Sequence, residues 1–308
     1  MKLKIKKLLG IALATAMMMS VTACSSVSVD GEKDSGTETK EGNGSIGLSV
    51  STLNNPFFVT LSDGAKEKAK EKNVELIVVD AGDDAAKQTS DIEDLISKNI
   101  SVLIVNPVDS DAVAPAVKDA IAKGIKVVSV DRVVNGVDVD CAIASDNVAG
   151  AKMATEYLLS LVGEGAKVAE LEGVPGTSAA IDRGKGFHEI ADTKLNVVSK
   201  QTANFNRSEG MTVMENMLQA NPDIVGVFAH NDEMALGAVE AINGKDIVVV
   251  GFDATDDALA AVKDGKMAAT VAQQPDLMGS TAVETAVKLM AGETVEKEIP
   301  VEVTLVKE

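Results

Sequence analysis

The sequence is poor in several residue types on which protein chemistry often depends. Its 308 residues include two cysteines, two histidines and no tryptophan. Two cysteines exclude a disulfide scaffold and a cysteine-rich zinc site, and two histidines leave little material for histidine-based catalysis. Positive charge is also scarce, because 29 Lys and Arg stand against 47 Asp and Glu. This acidic balance argues against nucleic-acid binding, which needs a basic face.

The remaining composition is that of a globular protein. Hydrophobic residues make up 45% of the chain and charged residues 25%, which excludes wholesale disorder. The length is typical of two domains. The sequence contains no GxxxxGK[ST] phosphate loop and no calcium-loop pattern. We therefore expect neither a cofactor nor a metal.

The N-terminus has the pattern of an export signal. In residues 1–23, four lysines precede a short apolar run, as in a secretory signal peptide. The run ends in Val21-Thr22-Ala23-Cys24, which resembles a bacterial lipobox and predicts cleavage before Cys24 and lipidation of that residue. The alternative is a plain signal peptide with a chance cysteine. Residues 24–44 contain almost no apolar side chains and are typical of a flexible tether.

These features predict a location outside the cytoplasm. The protein would be lipid-anchored to the outer face of the cell membrane, on the periplasmic side if the host has an outer membrane. The predicted anchor is its one attachment to the membrane.

From Ser45 onward, short apolar runs alternate with helical patterns. This rhythm is typical of parallel sheets covered by helices on both faces. About ten strands over this length indicate an α/β protein with two doubly wound parallel-sheet lobes. The predicted strands lie near 46–50, 74–79, 102–105, 126–130, 140–144, 166–171, 195–200, 224–228, 247–251, 268–272 and 299–306.

Ligands of open α/β sheets bind beyond the carboxyl ends of the strands. In this sequence those ends carry amides, carboxylates, an arginine and phenylalanines. They are Asn54 to Phe58, Asn106-Pro107, Asp131-Arg132, Asn204 to Asn206, Asn231-Asp232, Asp253 and Gln273 to Pro275.

These residue types match the surface of a sugar. Planar amide, carboxylate and guanidinium groups present paired donors or acceptors for adjacent hydroxyls, and phenylalanine rings offer flat faces to the C–H side of a sugar ring. Nearby charges balance, with Asp131 and Asp253 against Arg132 and Arg183. The pattern therefore predicts a neutral, hydroxyl-rich small molecule as ligand.

Each residue also has a purely structural interpretation. Asn55-Pro56 and Asn106-Pro107 are common turn dipeptides, and Asn231 or Asp253 could cap a following helix. Phe57 and Phe58 could belong to the core. The pattern alone places Arg183 on the surface, and it predicts a buried, inert thiol for Cys141.

Several segments, in order, resemble the bacterial ribose-binding proteins of ABC transport, a branch of the periplasmic sugar-binding family. The resemblance covers about residues 45–308. It rests on Ser51 to Phe58, Asn106 to Val113, Ala144 to Asn147, Asn231 to Gly237, Gly251 to Asp253 and Ala272 to Asp276.

The resemblance implies a type I periplasmic-binding-protein fold with two lobes joined by a three-crossover hinge. One lobe would contain residues 45–145 and 274–302, and the other residues 146–273 and 303–308. The implied ligand contacts are Asn55, Phe57, Phe58, Asn106, Asp131, Arg132, Arg183, Phe205, Asn231, Asp253 and Gln273.

The function implied by the resemblance is capture of D-ribose and its delivery to an ABC permease driven by an ATPase. The receptor would be a monomer and not an enzyme. Alternatives are the same scaffold with allose, another pentose or a furanose-like signalling molecule. A sugar-responsive transcription regulator would need an N-terminal DNA-binding segment, where this chain has a signal and a polar tether. A sugar-modifying enzyme could use Asp131 and Asp253 as acid and base, but charge-paired carboxylates are poor general acids.

Overall fold

The computed structural model describes residues 44–307, so the predicted signal peptide, Cys24 and nearly all of the predicted tether lie outside the described residues. Within residues 44–307 the chain forms twelve strands and nine helices, numbered in chain order. In this range, each helix lacks the length or the apolar run that a membrane crossing requires.

Six strands build the first sheet, with the order β11-β5-β4-β3-β1-β2 and all neighbours parallel. They are β1 (Ile46–Val50), β2 (Leu76–Asp80), β3 (Val102–Val105), β4 (Lys126–Val130), β5 (Cys141–Ser145) and β11 (Glu298–Val301). Four helices flank this sheet: α1 (Pro56–Glu71), α2 (Ala85–Ser97), α3 (Ala114–Ala122) and α9 (Pro275–Met290).

The second sheet has the order β12-β10-β9-β8-β6-β7, in which β12 alone runs antiparallel to its neighbour. Its strands are β6 (Lys167–Glu172), β7 (Asn196–Thr202), β8 (Gly226–Ala229), β9 (Val248–Asp253), β10 (Ala269–Ala272) and β12 (Thr304–Lys307). Its helices are α4 (Asn147–Val162), α5 (Ser178–Lys194), α6 (Arg207–Ala220), α7 (Asp232–Ile242) and α8 (Asp256–Lys263).

Both faces of each sheet are covered, which explains why the strands are apolar runs. Around the first sheet, one hydrophobic cluster lies under α1 and α9 and another under α2 and α3. Around the second sheet, one cluster lies under α6, α7 and α8 and another under α4 and α5. The expected buried thiol of Cys141 is confirmed, because the residue is fully buried in β5. Burial raises the pKa of that thiol.

The chain passes between the two sheets three times, after β5, after β10 and between β11 and β12. The predicted α/β class with two doubly wound lobes and three crossovers is thus confirmed. The lobe boundaries given above stay predictions.

One predicted strand is wrong. Residues 299–306 form two strands, β11 and β12, which belong to different sheets. The backbone is extended on both sides of the third crossing, in β11 and in β12, so the alternation of apolar residues continues through it. Local periodicity therefore gives no sign of where the chain changes sheet.

Candidate functional site

A small cavity lies between the two sheets. Ten of the eleven predicted contact residues line it, and Ala179 is the additional lining residue. The lining residues of the first sheet and its loops are Asn55, Phe57, Phe58, Asp131 and Arg132. Those of the second sheet and the second crossing are Ala179, Arg183, Phe205, Asn231, Asp253 and Gln273.

The segment after β1 supplies an amide and two rings. Asn55 caps α1, because its side-chain oxygen accepts the N–H of Phe57 over 2.9 Å, and Pro56 supplies the first helical residue. The rings of Phe57 and Phe58 meet edge to face with centroids 5.1 Å apart. Both rings belong to the hydrophobic core and also line the cavity. Asn55 therefore caps a helix and also lines the cavity, and the two phenylalanines belong to the core and also line the cavity.

Asp131 and Arg132 follow β4 and are both buried. The Arg132 guanidinium donates from Nη1 to the carbonyl of Pro107 over 2.8 Å. It also lies 5.1 Å from the ring centroid of Phe58 and 5.4 Å from that of Phe205. Arg132 is thus held between an aromatic ring of each lobe. Its buried Nε has no hydrogen-bond partner.

Asn106 is the predicted contact residue that does not line the cavity. It is fully buried behind the wall, where its side chain bonds the backbone of Ser51 and Val130 and the carboxylate of Asp131. A direct contact between Asn106 and a ligand stays a prediction.

The expectation of a surface position for Arg183 is wrong. Arg183 lies on the inner face of α5 with 3% of its surface exposed. Its Nε donates to Asn147 over 2.8 Å and its Nη1 donates to the carbonyl of His230. The guanidinium also stacks 3.9 Å from the ring centroid of Phe252. These partners come from distant parts of the sequence, so the local pattern around Arg183 could not indicate its burial.

Phe205 takes an unusual backbone conformation. Its φ of +58° lies in the left-handed region, which bulky residues rarely adopt. Its ring fills the space beside Gly173, where a Cβ would lie 2.0 Å from the ring. The Phe205 carbonyl accepts the side-chain N–H of Asn231 over 3.3 Å. Asn231 in turn caps α7 by accepting the N–H of Met234 over 3.0 Å.

Asp253 ends β9, and Gln273 follows β10. Gln273 donates from Nε2 to Oδ1 of Asp253 over 2.7 Å, and the same oxygen lies 3.6 Å from Nη1 of Arg183. The alternative role of Asp253 as a helix cap is wrong, because Thr255 occupies the N-cap of α8. The carboxylate is directed to the cavity instead. Gln273 keeps a buried Oε1 without a partner.

The charges of the wall balance, with two aspartates and two arginines. Burial raises the pKa of Asp131, partly offset by Arg132 and Arg183, and it raises the pKa of Asp253 well above its usual range, partly offset by Arg183. Burial likewise lowers the pKa of both arginines. A wall without surplus charge favours a neutral ligand, since an ionic ligand would need a complementary excess.

Two residues of this region carried no sequence-based role. Ala179, near the start of α5, lines the cavity with a methyl group, and its residue type gives no functional signal. Asn147 accepts the Nε–H of Arg183. Its position two residues after the end of β5, in the motif Ala144 to Asn147, was a signal that could have identified it.

Residues 46–294 match the model of the periplasmic binding protein domain. The chain belongs to the periplasmic binding protein family. The family's members in import systems act outside the cytoplasm.

Curated relatives and solved structures agree with this assignment. The chain is 53% identical over 296 residues to the ribose import binding protein of Bacillus subtilis, covering 96% of each chain. It is 50% identical over 265 residues to the ribose import binding protein of Escherichia coli, covering 85% of this chain and 90% of the relative. An ABC transporter solute binding protein from Bacillus halodurans with bound myo-inositol superimposes with a TM-score of 0.83 and 35% identity, covering 87% and 96% of the two chains. By name, these relatives are binding proteins of import and transport systems and not enzymes.

Proposed function

We propose that the cavity binds D-ribose and that the protein presents this sugar to an ABC permease for import. The observation that carries the proposal is one small, charge-balanced cavity whose wall combines three phenylalanines with amide, carboxylate and guanidinium groups. The ribose import binding proteins that are 50–53% identical to this chain support ribose as the ligand.

The wall offers a defined role to each kind of side chain. Phe58 and Phe205 present ring faces for the C–H side of the sugar. The aspartate carboxylates accept from hydroxyls, the Asn231 amide can accept or donate, and the two arginines donate in pairs. Arg132 Nε, which lies 3.6 Å from Asp131 Oδ2, and Gln273 Oε1 are buried polar atoms without a hydrogen bond, and buried polar atoms ordinarily have one. We assign sugar hydroxyls as their partners.

Delivery requires a receptor that opens and closes. We propose that residues 45–145 with 274–302 and residues 146–273 with 303–308 move as two lobes about the three crossings. Ligands held between two such lobes are ordinarily bound by hinge closure. The permease would then recognise the closed form, and a cytoplasmic ATPase would drive import.

Attachment to the membrane belongs to the same proposal. We infer that Cys24 carries lipid after removal of residues 1–23, and that the receptor works as a monomer on the outer face of the cell membrane. Mass spectrometry of the mature N-terminus, in wild type and Cys24→Ala, tests the anchor. Light scattering of the soluble form tests the monomer.

The decisive experiment is calorimetric titration of the purified protein with ribose, allose, xylose, arabinose, galactose, glucose and myo-inositol. We expect stoichiometric, tight binding of ribose and a ribose-dependent rise in melting temperature by mass action. Binding of another sugar in place of ribose would support the role as a sugar receptor and contradict the proposed specificity for ribose. The absence of binding to every sugar would contradict the proposal that the ligand is a sugar.

A double variant tests the site itself. Asp131→Ala with Arg183→Ala removes one charged partner from each side of the cavity. Each charged hydrogen bond to a ligand contributes about 1.5–3 kcal/mol, so ribose affinity should fall by several orders of magnitude. Full-strength binding by the double variant would contradict the site.

A further inference from the structure

Both histidines of the chain face one buried carboxylate, that of Glu170 in β6. His230 Nε2 lies 2.9 Å from Glu170 Oε1, and both side chains are fully buried. His188 Nε2 approaches Glu170 Oε2 to 3.0 Å from the more exposed side. That second approach lacks the angle of a hydrogen bond, so it is an electrostatic contact. None of the three residues lines the cavity.

The hydrogen bonds of His230 define its protonation state. The backbone N–H of Gly173 donates to Nδ1 over 3.3 Å. Nδ1 therefore carries no proton, and the ring proton sits on Nε2, which donates to Glu170. Burial lowers the pKa of His230, with Glu170 acting in the opposite direction. The neutral ring thus bridges a carboxylate and a backbone amide.

This bridge lies directly behind two residues of the cavity wall. The carbonyl of His230 accepts Nη1 of Arg183, and the next residue, Asn231, lines the cavity and caps α7. Gly184, beside Arg183 in α5, packs over the pair, since a Cβ there would lie 3.5 Å from His230 Cε1 and 3.6 Å from Glu170 Oε1. A rotation of the His230 peptide would therefore displace both Arg183 and Asn231.

We propose that Glu170 and His230 are positioning residues for the ligand, which fix the His230–Asn231 peptide and through it the guanidinium of Arg183. The proposal rests on the sugar-binding function proposed above. A buried ion-paired or hydrogen-bonded carboxylate gains little net stability over apolar packing, because its desolvation offsets the attraction. In this protein the Glu170 carboxylate instead fixes the direction of the His230 carbonyl and of the Asn231 side chain.

The test compares two substitutions of the same residue. His230→Gln keeps a neutral side chain that both donates and accepts, whereas His230→Phe keeps a ring without either group. We expect His230→Gln to bind ribose within roughly threefold of wild type. His230→Phe should weaken ribose binding by roughly tenfold or more, which is the effect of losing about one hydrogen bond. Calorimetry measures the dissociation constants for ribose, and the melting temperatures are measured on the ligand-free proteins.

Phe187→Leu is the matched control. Phe187 is fully buried in the same region and stacks on Phe228 at 5.1 Å, but it has no polar link to Arg183. It should lower the melting temperature and leave ribose affinity unchanged. If Phe187→Leu weakens binding as much as His230→Phe at an equal loss of melting temperature, the effect is general stability and the positioning role is overturned.

Two further comparisons keep the outcomes separate. If His230→Phe does not fold, Glu170→Gln, which can accept the same hydrogen bond, is compared with Glu170→Met, which cannot. Equal ribose affinity in that pair overturns the positioning role. If wild-type protein itself does not bind ribose, the proposed function fails, and this is distinguished from the failure of the positioning role alone.

Discussion

Asn106 donates a hydrogen bond from Nδ2 to Oδ2 of Asp131 over 3.1 Å, from a fully buried position behind the cavity wall. The same nitrogen reaches the carbonyl of Val130 over 3.2 Å, and Oδ1 accepts the N–H of Ser51 over 3.1 Å. One amide thus ties the ends of β1 and β4 together and sets the direction of the Asp131 carboxylate.

Replacing this amide should weaken both the fold and the binding. Asn106→Leu has similar volume but leaves the buried N–H of Ser51 without an acceptor, which costs about 1–3 kcal/mol of unfolding free energy. We expect ribose affinity to fall by roughly tenfold, since Asp131 loses a hydrogen bond that orients it. Denaturant unfolding and calorimetry measure the two effects.

Ser129→Ala is the control for this variant. Ser129 is buried in β4, and its hydroxyl has no hydrogen-bond partner. Its removal should change neither stability nor affinity appreciably. Unchanged ribose affinity in Asn106→Leu would contradict a supporting role for Asn106.

The second prediction concerns Gln273 at the second crossing. Gln273→Met retains the length of the side chain but removes the 2.7 Å hydrogen bond to Asp253 and the buried Oε1. Ribose affinity should fall by roughly ten- to a hundredfold, because the carboxylate of Asp253 loses a donor and the ligand loses an acceptor. Gln274→Met is the matched control, since the adjacent Gln274 is exposed and its side chain bonds only the carbonyl of Glu302. Equal affinities of the two variants would contradict the role of Gln273.

Much of the fold could be predicted because local sequence patterns determine where its strands and helices begin and end. Ile46, Leu48 and Val50 alternate as a buried strand must, and Asn55-Pro56 begins a helix through ordinary capping. The rhythm of strand and helix then defines the class of the fold. Periodicity alone did not locate the crossing between β11 and β12, because extended backbone and apolar alternation continue through it; the predicted lobe boundary at residues 302–303 rested on the resemblance.

The composition of the site was predictable, but its geometry was not. Asn55 and Asn231 both cap a helix and line the cavity, so the structural and functional interpretations of the sequence were compatible. In contrast, Asp131, Phe205 and Asp253 all have positive φ, at +64°, +58° and +130°. Such strained backbone clusters at functional sites and is maintained by long-range contacts. Local sequence does not encode those contacts, and they also account for the unexpected burial of Arg183.

The third prediction is that the contribution of Asp232 to the free energy of unfolding decreases as pH rises, which is uncommon for a carboxylate. Burial raises the pKa of Asp232 from 3.8 to about 6, partly offset by hydrogen bonds from Thr270 and Thr255. The folded protein therefore binds a proton more readily than the unfolded chain does between these two values. Asp232 thus makes the free energy of unfolding fall as pH rises from about 4 to about 6.

Asp232→Asn removes that contribution. In urea unfolding at constant ionic strength, the variant should lose less stability than wild type between pH 4 and pH 6, while the difference between the two proteins stays constant above pH 7. A difference that does not change with pH across the lower range would contradict the prediction.

The fourth prediction concerns the contact that joins the two sheets beside the cavity. The N–H of Ser110 donates to the carbonyl of Gly176 over 3.3 Å, and the Ser110 hydroxyl accepts the N–H of Ser178 over 3.2 Å. Gly176 has a φ of +86°, and a Cβ there would lie 2.4 Å from Oδ2 of Asp109. The absence of a side chain at Gly176 therefore allows the two lobes to approach each other.

Gly176→Ala should consequently disfavour closure. A methyl group at this position strains the backbone and also collides with Asp109, whereas Gly163→Ala places a methyl group at a similar positive φ, +83°, with no atom within 4 Å of the new Cβ. Both variants should lose a similar amount of unfolding free energy, on the order of 1 kcal/mol. Only Gly176→Ala should also bind ribose more weakly, by roughly tenfold, because the binding-competent closed form becomes less populated. Adding Asp109→Ala should restore part of that affinity. If the two alanine variants bind ribose equally well, the contact between Gly176 and Asp109 does not limit closure.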